Sequence, residues 1–406
     1  MAHIDEHPAG SALVAVIGLG TMGAGIAEVF ARSGYRVRGI ENDAAALERG
    51  RSLLQKSTAR AVARGKLEAE GQQQLLGRID LGTDLSAVAD CSLVVEAVSE
   101  RLDLKTALFA ELDRLAPPEA LLATNTSSLS ITAIAAATAR PERVIGVHFF
   151  NPAPVQTLVE VIRTVSTSDD TVERTYAILR TIQKTPIGCG DRAGFVVNAL
   201  LIAYLNRAVR LYQDGFASRE EIDQSMVDLA GYPMGPLALL DLIGLDVAHA
   251  VLVRMYDETR DRLHAPAPLL TQLVTAGRLG RKSGRGFYGY SGTDVTDEPG
   301  PVKPPPASRA AELPDTLVMG YLNDACAMVQ SNYATPDDID TGMVQGCRMP
   351  APFDVLAQYG PATVLAGQRQ LFAETAEPGH RPALLLERLA AADDPQAALA
   401  ALRTRS

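Results

Sequence analysis

His148 and Glu160 lie twelve residues apart in GVHFFNPAPVQTLVEVI, the first closing one apolar run and the second inside another. An ionised carboxylate buried alone within LVEVI would be costly, so Glu160 needs a partner. A histidine uses such a partner best, because the carboxylate fixes the imidazole tautomer and stabilises its protonated form. Together they are equipment for accepting and holding a proton. Read alone, His148 is also compatible with a satisfied core histidine. Two further groups favour the chemical reading. TNTSS at 124–128 ends another strand and offers Asn125 and Ser127 beside a cofactor ring, and Asn198 in AGFVVNALL opens a helical region on its cleft side.

The cofactor is suggested by VIGLGTMGAGIAEVFARSG, which holds Gly18-x-Gly20-x-x-Gly23 between an apolar run and a helical pattern. In that setting Gly18 allows a tight turn, Gly20 admits backbone close to a pyrophosphate, and Gly23 lets the helix approach the strand. The helix N-terminus then turns its unpaired N–H groups on the phosphates. Glu41, ending the next strand, would accept from the adenosine ribose hydroxyls. A 2′-phosphate about 4 Å away would meet about 4 kcal/mol of repulsion per unit charge at an effective dielectric near 20. NAD is therefore expected over NADP, tempered by Arg36 and Arg38 on the same strand.

The elements that must position these groups follow from the pattern. ALVAVIG at 12–18 reads as a strand buried on both faces, and further strands are expected near 35–41, 78–82, 91–97, 121–124 and 143–148, alternating with helices. The fold class is thus an α/β Rossmann-type doubly wound sheet over 11–192, behind a 1–10 tail. The long stretch between the second and third strands turns at Gly65 and predicts a helical hairpin projecting from the sheet, with Lys56, Arg60, Arg64 and Lys66 on one face. Apolar residues then follow the helical period, giving an all-α domain over 193–292 and a Pro-rich linker over 293–312. The remainder repeats that helical domain at an offset of 117, matching YLN at 204–206 with 321–323 and Ile222, Asp223 and Met226 with Ile339, Asp340 and Met343. A second, degenerate repeat is expected over 313–392, then a 393–406 tail.

With 406 residues, 47% of them hydrophobic, the chain can fill several cores. Its net charge of −10 and pI near 5.2 argue against nucleic-acid or anionic-membrane binding. No apolar run reaches membrane-spanning length, and the start lacks a signal pattern. Cys91, Cys189, Cys326 and Cys347 have no metal-ligand spacing, so no metal site is expected and all four are read as buried thiols of a cytoplasmic protein.

The blocks VIGLGTMGAGIA, VVEAVSE, NTSSL, GVHFFNP, LVEVI, GFVVN, GYPMGP and GRKSGRGFYGY, in this order over about 11–291, resemble the L-3-hydroxyacyl-CoA dehydrogenase family, in particular its bacterial 3-hydroxybutyryl-CoA members. The resemblance implies NAD-dependent oxidation of a short 3-hydroxyacyl-CoA, with His148 as general base, Glu160 orienting it, and Ser127 and Asn198 hydrogen-bonding the reacting oxygen. It implies cofactor contacts from Gly18, Gly20, Thr21, Met22, Gly23, Glu41, Ala97, Glu100, Lys105, Asn125 and Asn151, and CoA contacts from Ser57 and Lys66. Ala193 and Ala199 stand where many relatives carry Pro and Arg. A hydroxy acid or a carrier-protein thioester remains an alternative substrate, and a silent NAD-sensing scaffold is a rival of another class. Since single-copy relatives pair through the helical domain, the chain is expected to be a pseudo-dimeric monomer or a homodimer through another surface. Asp315 occupies the place of Asn198 in the second repeat, which is therefore read as non-catalytic.

Overall fold

Six short strands, nearly all apolar because helices cover both their faces, begin the first of two compact units; the computed structural model describes residues 12–296, 300–301 and 309–404, and the units divide between Asp191 and Arg192. The expected 1–10 tail and half of the linker, residues 297–299 and 302–308, lie outside the described residues. In chain order the first unit comprises β1 (Leu13–Ile17), α1 (Thr21–Arg32), β2 (Arg36–Ile40), α2 (Ala44–Ala63), α3 (Ala69–Gly77), β3 (Ile79–Gly82), β4 (Leu93–Glu96), α4 (Leu102–Leu115), β5 (Leu121–Thr124), α5 (Ile131–Ala135), β6 (Val144–Phe149), β7 (Leu158–Arg163), α6 (Asp169–Thr181) and β8 (Thr185–Gly190).

The strands form one sheet in the order β3-β2-β1-β4-β5-β6-β7-β8. All neighbours run parallel except β6 and β7, where the chain reverses. The order switches direction between β1 and β4, and ligands of open α/β sheets bind outside the strand ends at such a crevice. Val16, Val95, Ala123, Ile145, Val147 and Val161 form part of the sheet's core with Phe30 of α1 and Leu179 of α6. The edge strand β8, TPIGCG, was not anticipated. Pro186 and two glycines weaken its strand pattern, and an edge is where a sheet tolerates proline.

The α2–α3 hairpin turns at Gly65, which has φ +64°. Both of its helices pack on α1.

The second unit opens with α7 (Val197–Gln213), α8 (Arg219–Asp228), α9 (Pro236–Ile243), α10 (Leu245–Thr259) and α11 (Pro268–Thr275), followed by a hairpin of β9 (Gly289–Ser291) and β10 (Asp294–Thr296). α12 (Leu313–Gln330), α13 (Pro336–Cys347), α14 (Pro352–Tyr359), α15 (Pro361–Thr375) and α16 (Leu384–Ala390) repeat the five helices, and α17 (Pro395–Arg403) ends the chain. The repetition extends to buried polar detail. Asn206 donates through Nδ2 to the carbonyls of Leu263 and Ala265, both at 2.9 Å, and accepts from the Ala267 N–H. Asn323 likewise donates to the Arg381 carbonyl and accepts from the Ala383 N–H. Asp223 caps α9 through the Leu237 N–H as Asp340 caps α14 through that of Phe353.

Two expected boundaries are corrected. A linker from 293 would cut the β9–β10 hairpin, in which Asp294 pairs with Ser291. The residues after 392 are not simply a tail: Asp394 caps α17, Leu399 is buried, and Arg403 reaches back to Asp340 and, at 2.8 Å, to Asp354. Among the described residues no single helix is long and apolar enough to cross a membrane.

Removing the side chain of Asn206 strands the Leu263 carbonyl and the Ala267 N–H, since the Ala265 carbonyl keeps Arg210, and removing that of Asn323 strands the Arg381 carbonyl and the Ala383 N–H. At about 1 kcal/mol or more per orphaned group, Asn206→Ala and Asn323→Ala should each lower unfolding stability by about 2 kcal/mol in urea titrations.

Candidate active site

The reversal of β7 places His148 directly across from Glu160 in the antiparallel register. Nδ1 lies 2.7 Å from Oε2; Glu160 is fully buried and His148 is 8% exposed. Nδ1 therefore carries its hydrogen toward the carboxylate, and Nε2 is the nitrogen suited to take a proton. His148 lies near the carboxyl end of β6, at the same sheet edge as the loops after β1, β4 and β5. The Phe150 ring sits over the imidazole at 4.8 Å between centroids. Asn125 Oδ1 accepts from the Phe149 N–H at 2.9 Å and so ties the end of β5 to the residue after His148.

Glu100 organises the neighbouring loop. Its Oε1 accepts from Thr126 Oγ1 at 2.6 Å, from the N–H groups of Ser127 and Ser128 at 2.9 and 3.1 Å, and from both serine hydroxyls at longer range. Burial alone would raise this carboxyl, but the Lys105 ammonium and the Thr126 and Ser127 donors outweigh it and hold Glu100 below its ordinary value. Lys105 lies deeper than the resemblance implied. Expected as a cofactor contact, it is 1% exposed, with Nζ 2.7 Å from Glu96 and 3.3 Å from Glu100. It holds carboxylates instead of lining the cleft. Glu96, which the sequence reading passed over, is the hub: it also accepts from Thr124 Oγ1 and the Val98 N–H. Its apolar setting in VVEA is the same signal that singled out Glu160.

The glycine loop opens onto a cleft of about 600 Å³ lined by Gly18, Gly20, Thr21, Glu41 and Ala97. Gly18 has φ +85°, and a Cβ there would lie 2.8 Å from the Ala97 carbonyl. A Cβ on Gly23 would lie 1.7 Å from the Gly18 carbonyl oxygen, so helix and loop meet only because it is absent. Gly20 differs: its Cβ would meet nothing within 4 Å, so this glycine leaves open space on the cleft side. Glu41 accepts from the Leu19 N–H at 2.6 Å, joining the acidic group to the loop. The two arginines that tempered the cofactor choice are engaged elsewhere, Arg38 with Asp90 and Arg36 with Asp80 at 3.5 Å. Arg49, not foreseen, lines the same cleft. Met22 packs partly against the core, and Asn151 is exposed just after β6, joined to Pro152 by a cis peptide.

Ser57, Arg60, Arg64 and Lys66 of the helical hairpin line a second cavity of about 450 Å³ with Arg32 of α1. Lys56, expected on the same face, is exposed and lies outside it. Residues 153–156 at its rim are held by Lys184, whose Nζ donates to the carbonyls of Ala153 and Gln156; burial and nearby Arg32 push this amine down to about 8.

Within the second unit, Asn198 is the second residue of α7 and partly exposed. The two atypical neighbours have structural consequences. Ala193 donates its N–H to Glu258 at 2.8 Å, a bond proline could not make, and Ala199 packs with Ala203 and Met255. Cys91, Cys189 and Cys326 are buried, as expected, whereas Cys347 is only half-buried; burial pushes Cys91 up to about 11. Among the described residues no cluster of side chains could hold a metal ion.

Comparison with known families accords with this geometry. The NAD binding domain of 3-hydroxyacyl-CoA dehydrogenase matches residues 13–192, and the C-terminal domain of the same family matches 194–290 and again 315–400. This chain belongs to the 3-hydroxyacyl-CoA dehydrogenase family. It is 47% identical over 279 residues to a 3-hydroxybutyryl-CoA dehydrogenase of Mycobacterium tuberculosis, covering 68% of this chain and 98% of the relative. It is 44% identical over 285 residues to human mitochondrial hydroxyacyl-coenzyme A dehydrogenase, covering 68% and 90%. A crystal structure of the 3-hydroxybutyryl-CoA dehydrogenase of Escherichia coli K12 superposes with a TM-score of 0.85 at 34% identity, over 93% of this chain and 98% of that one. As in other 3-hydroxyacyl-CoA dehydrogenases, the cofactor is NAD, and the open space at Gly20 beside Glu41 fits it.

Because the Glu100 carboxyl is depressed in the fold, its contribution is complete above its ordinary value of 4.5 and is lost as pH falls through the lower folded value. Hydrogen-exchange protection of the Ser127 and Ser128 amides, relative to the intrinsic rate at each pH, should therefore be lost only in acid, and Glu100→Gln should bring that loss to neutral pH. Glu41→Ala should weaken NAD binding about tenfold in calorimetric titrations, the worth of one or two hydrogen bonds, while weakening NADP binding less.

Proposed function

We propose that the chain oxidises the 3-hydroxyl of a short-chain L-3-hydroxyacyl-CoA, with His148 as general base. The observation that carries this is the 2.7 Å contact of His148 Nδ1 with a fully buried Glu160, which sets the tautomer in which Nε2 is the basic nitrogen. Bound NAD supplies the hydride acceptor. Glu160 stabilises the imidazolium formed at Nδ1 and Nε2, and its burial strengthens that stabilisation because little solvent screens the pair. Ser127, in the loop held by Glu100, and Asn198, by resemblance, are assigned to the substrate oxygen. The basic cavity lined by Ser57, Arg60, Arg64 and Lys66 supports binding of the phosphates of CoA there.

The oligomeric reading is that the second helical repeat takes the place of a partner subunit, so that one chain is self-sufficient. The buried thiols of Cys91 and Cys326 fit a reducing compartment, and we assign the protein to the cytoplasm.

The deciding experiment is NAD reduction by L-3-hydroxybutyryl-CoA, compared with its D-isomer, longer thioesters and free 3-hydroxybutyrate. The L-thioester should react fastest; activity confined to the free acid would refute the reading. His148→Ala should lower kcat about 10²–10⁴-fold, and Glu160→Gln should lower it by a comparable factor, with NAD affinity retained in both.

A further inference from the structure

The two helical repeats meet face to face within the second unit, and their contacts are reciprocal. α7 packs on α12, while α13 packs on α7 and α8 on α12. The guanidinium of Arg192 lies 4.7 Å from the Tyr333 ring centre, and that of Arg309 lies 4.4 Å from the Phe216 ring. Arg309 and Tyr333 are the equivalents of Arg192 and Phe216 at the offset of 117. Such reciprocity is the signature of a two-fold interface, here between two copies in one chain.

At the centre of a two-fold interface a residue meets its own equivalent. Tyr204 does so, its ring centre 6.0 Å from that of Tyr321. Arg207 does so too, for its equivalent is Asp324: Nη2 lies 2.7 Å from Oδ2 and 2.9 Å from Oδ1. The side chains are only 8% and 22% exposed, and Nε and Nη1 of Arg207 are buried without another hydrogen-bond partner. Gly320 makes room, since a Cβ there would come within 3.2 Å of the guanidinium.

A self-facing position that carries opposite charges cannot satisfy a true two-fold. Two first repeats would bring Arg207 against a second Arg207, and two second repeats would oppose two carboxylates, in each case within a largely dry contact. We infer that Arg207 and Asp324 select the partner: this face accepts one first repeat with one second repeat and rejects a second copy of either. The inference rests on the reading that the second repeat replaces a partner subunit, and it assigns the residues that enforce the replacement.

The test uses full-length chains: wild type, R207D, D324R, the double variant R207D/D324R, and the two single variants co-expressed with different tags. Each single variant should melt several degrees below wild type, because its own repeats now carry like charges. Co-expressed, R207D and D324R complement each other only between chains. They should co-purify as a species of twice the single-chain mass of 43.1 kDa by light scattering, and the double variant should return to the single-chain mass with most of its melting temperature restored. Single variants that keep wild-type melting would overturn the inference. So would a loss that neither co-expression nor the double variant repairs. Repair by the double variant without a two-chain species from co-expression would make the pair a local stabiliser and overturn partner selection. Wild-type mass by itself tests the single-chain reading; the differences among variants test the pair.

Discussion

A carboxylate with no exposed surface sits 2.7 Å from an imidazole, and the chemistry of the first unit depends on that pairing. Buried alone, Glu160 would be costly; opposite His148 it fixes a tautomer and waits for a charge. The geometry requires a departure from an all-parallel sheet. Because β7 runs back against β6, the two residues become direct cross-strand neighbours, the closest relation a sheet offers to residues on different strands. A parallel seventh strand would have needed a long crossover and would have offset the two side chains.

The same logic recurs one layer back. Glu96 and Lys105 form a buried pair beneath Glu100, and Glu100 in turn gathers the donors of residues 126–128. The charges nearest the proposed chemistry are thus held by charges farther from it. Each is hydrogen-bonded, which is the condition for burying them at all. Asn125 performs a related task with a neutral group, linking the end of β5 to the backbone beside His148.

Features whose chemistry is local in the chain were legible from the sequence. The glycine loop, Glu41 and the turn at Gly65 needed only neighbouring residues to be read, and the repeat announced itself through YLN and the Ile-Asp-Met spacing. Features that depend on distant register were not. The reversal of β7 was not read from the chain, although Glu160 betrayed the need for a partner. β8 was missed because Pro186, Gly188 and Gly190 carry no strand signal, and its place comes from pairing with β7. Lys105 entered as a cofactor contact through the family resemblance alone, and its burial against Glu96 and Glu100 was not visible in the chain. Ala193 stood out only as a departure from proline, and the Glu258 carboxylate on its N–H could not be read from the chain.

Tethering two helical copies in one polypeptide changes the thermodynamics of their association. Dilution cannot separate partners joined by a chain, because each experiences the other at a local concentration on the order of millimolar set by the connection rather than by expression level. A unit built this way keeps its stability in a cell that makes only a few molecules of it. The copy that carries Asp315 where the other carries Asn198 is then free to drift in sequence, provided that its contact face does not.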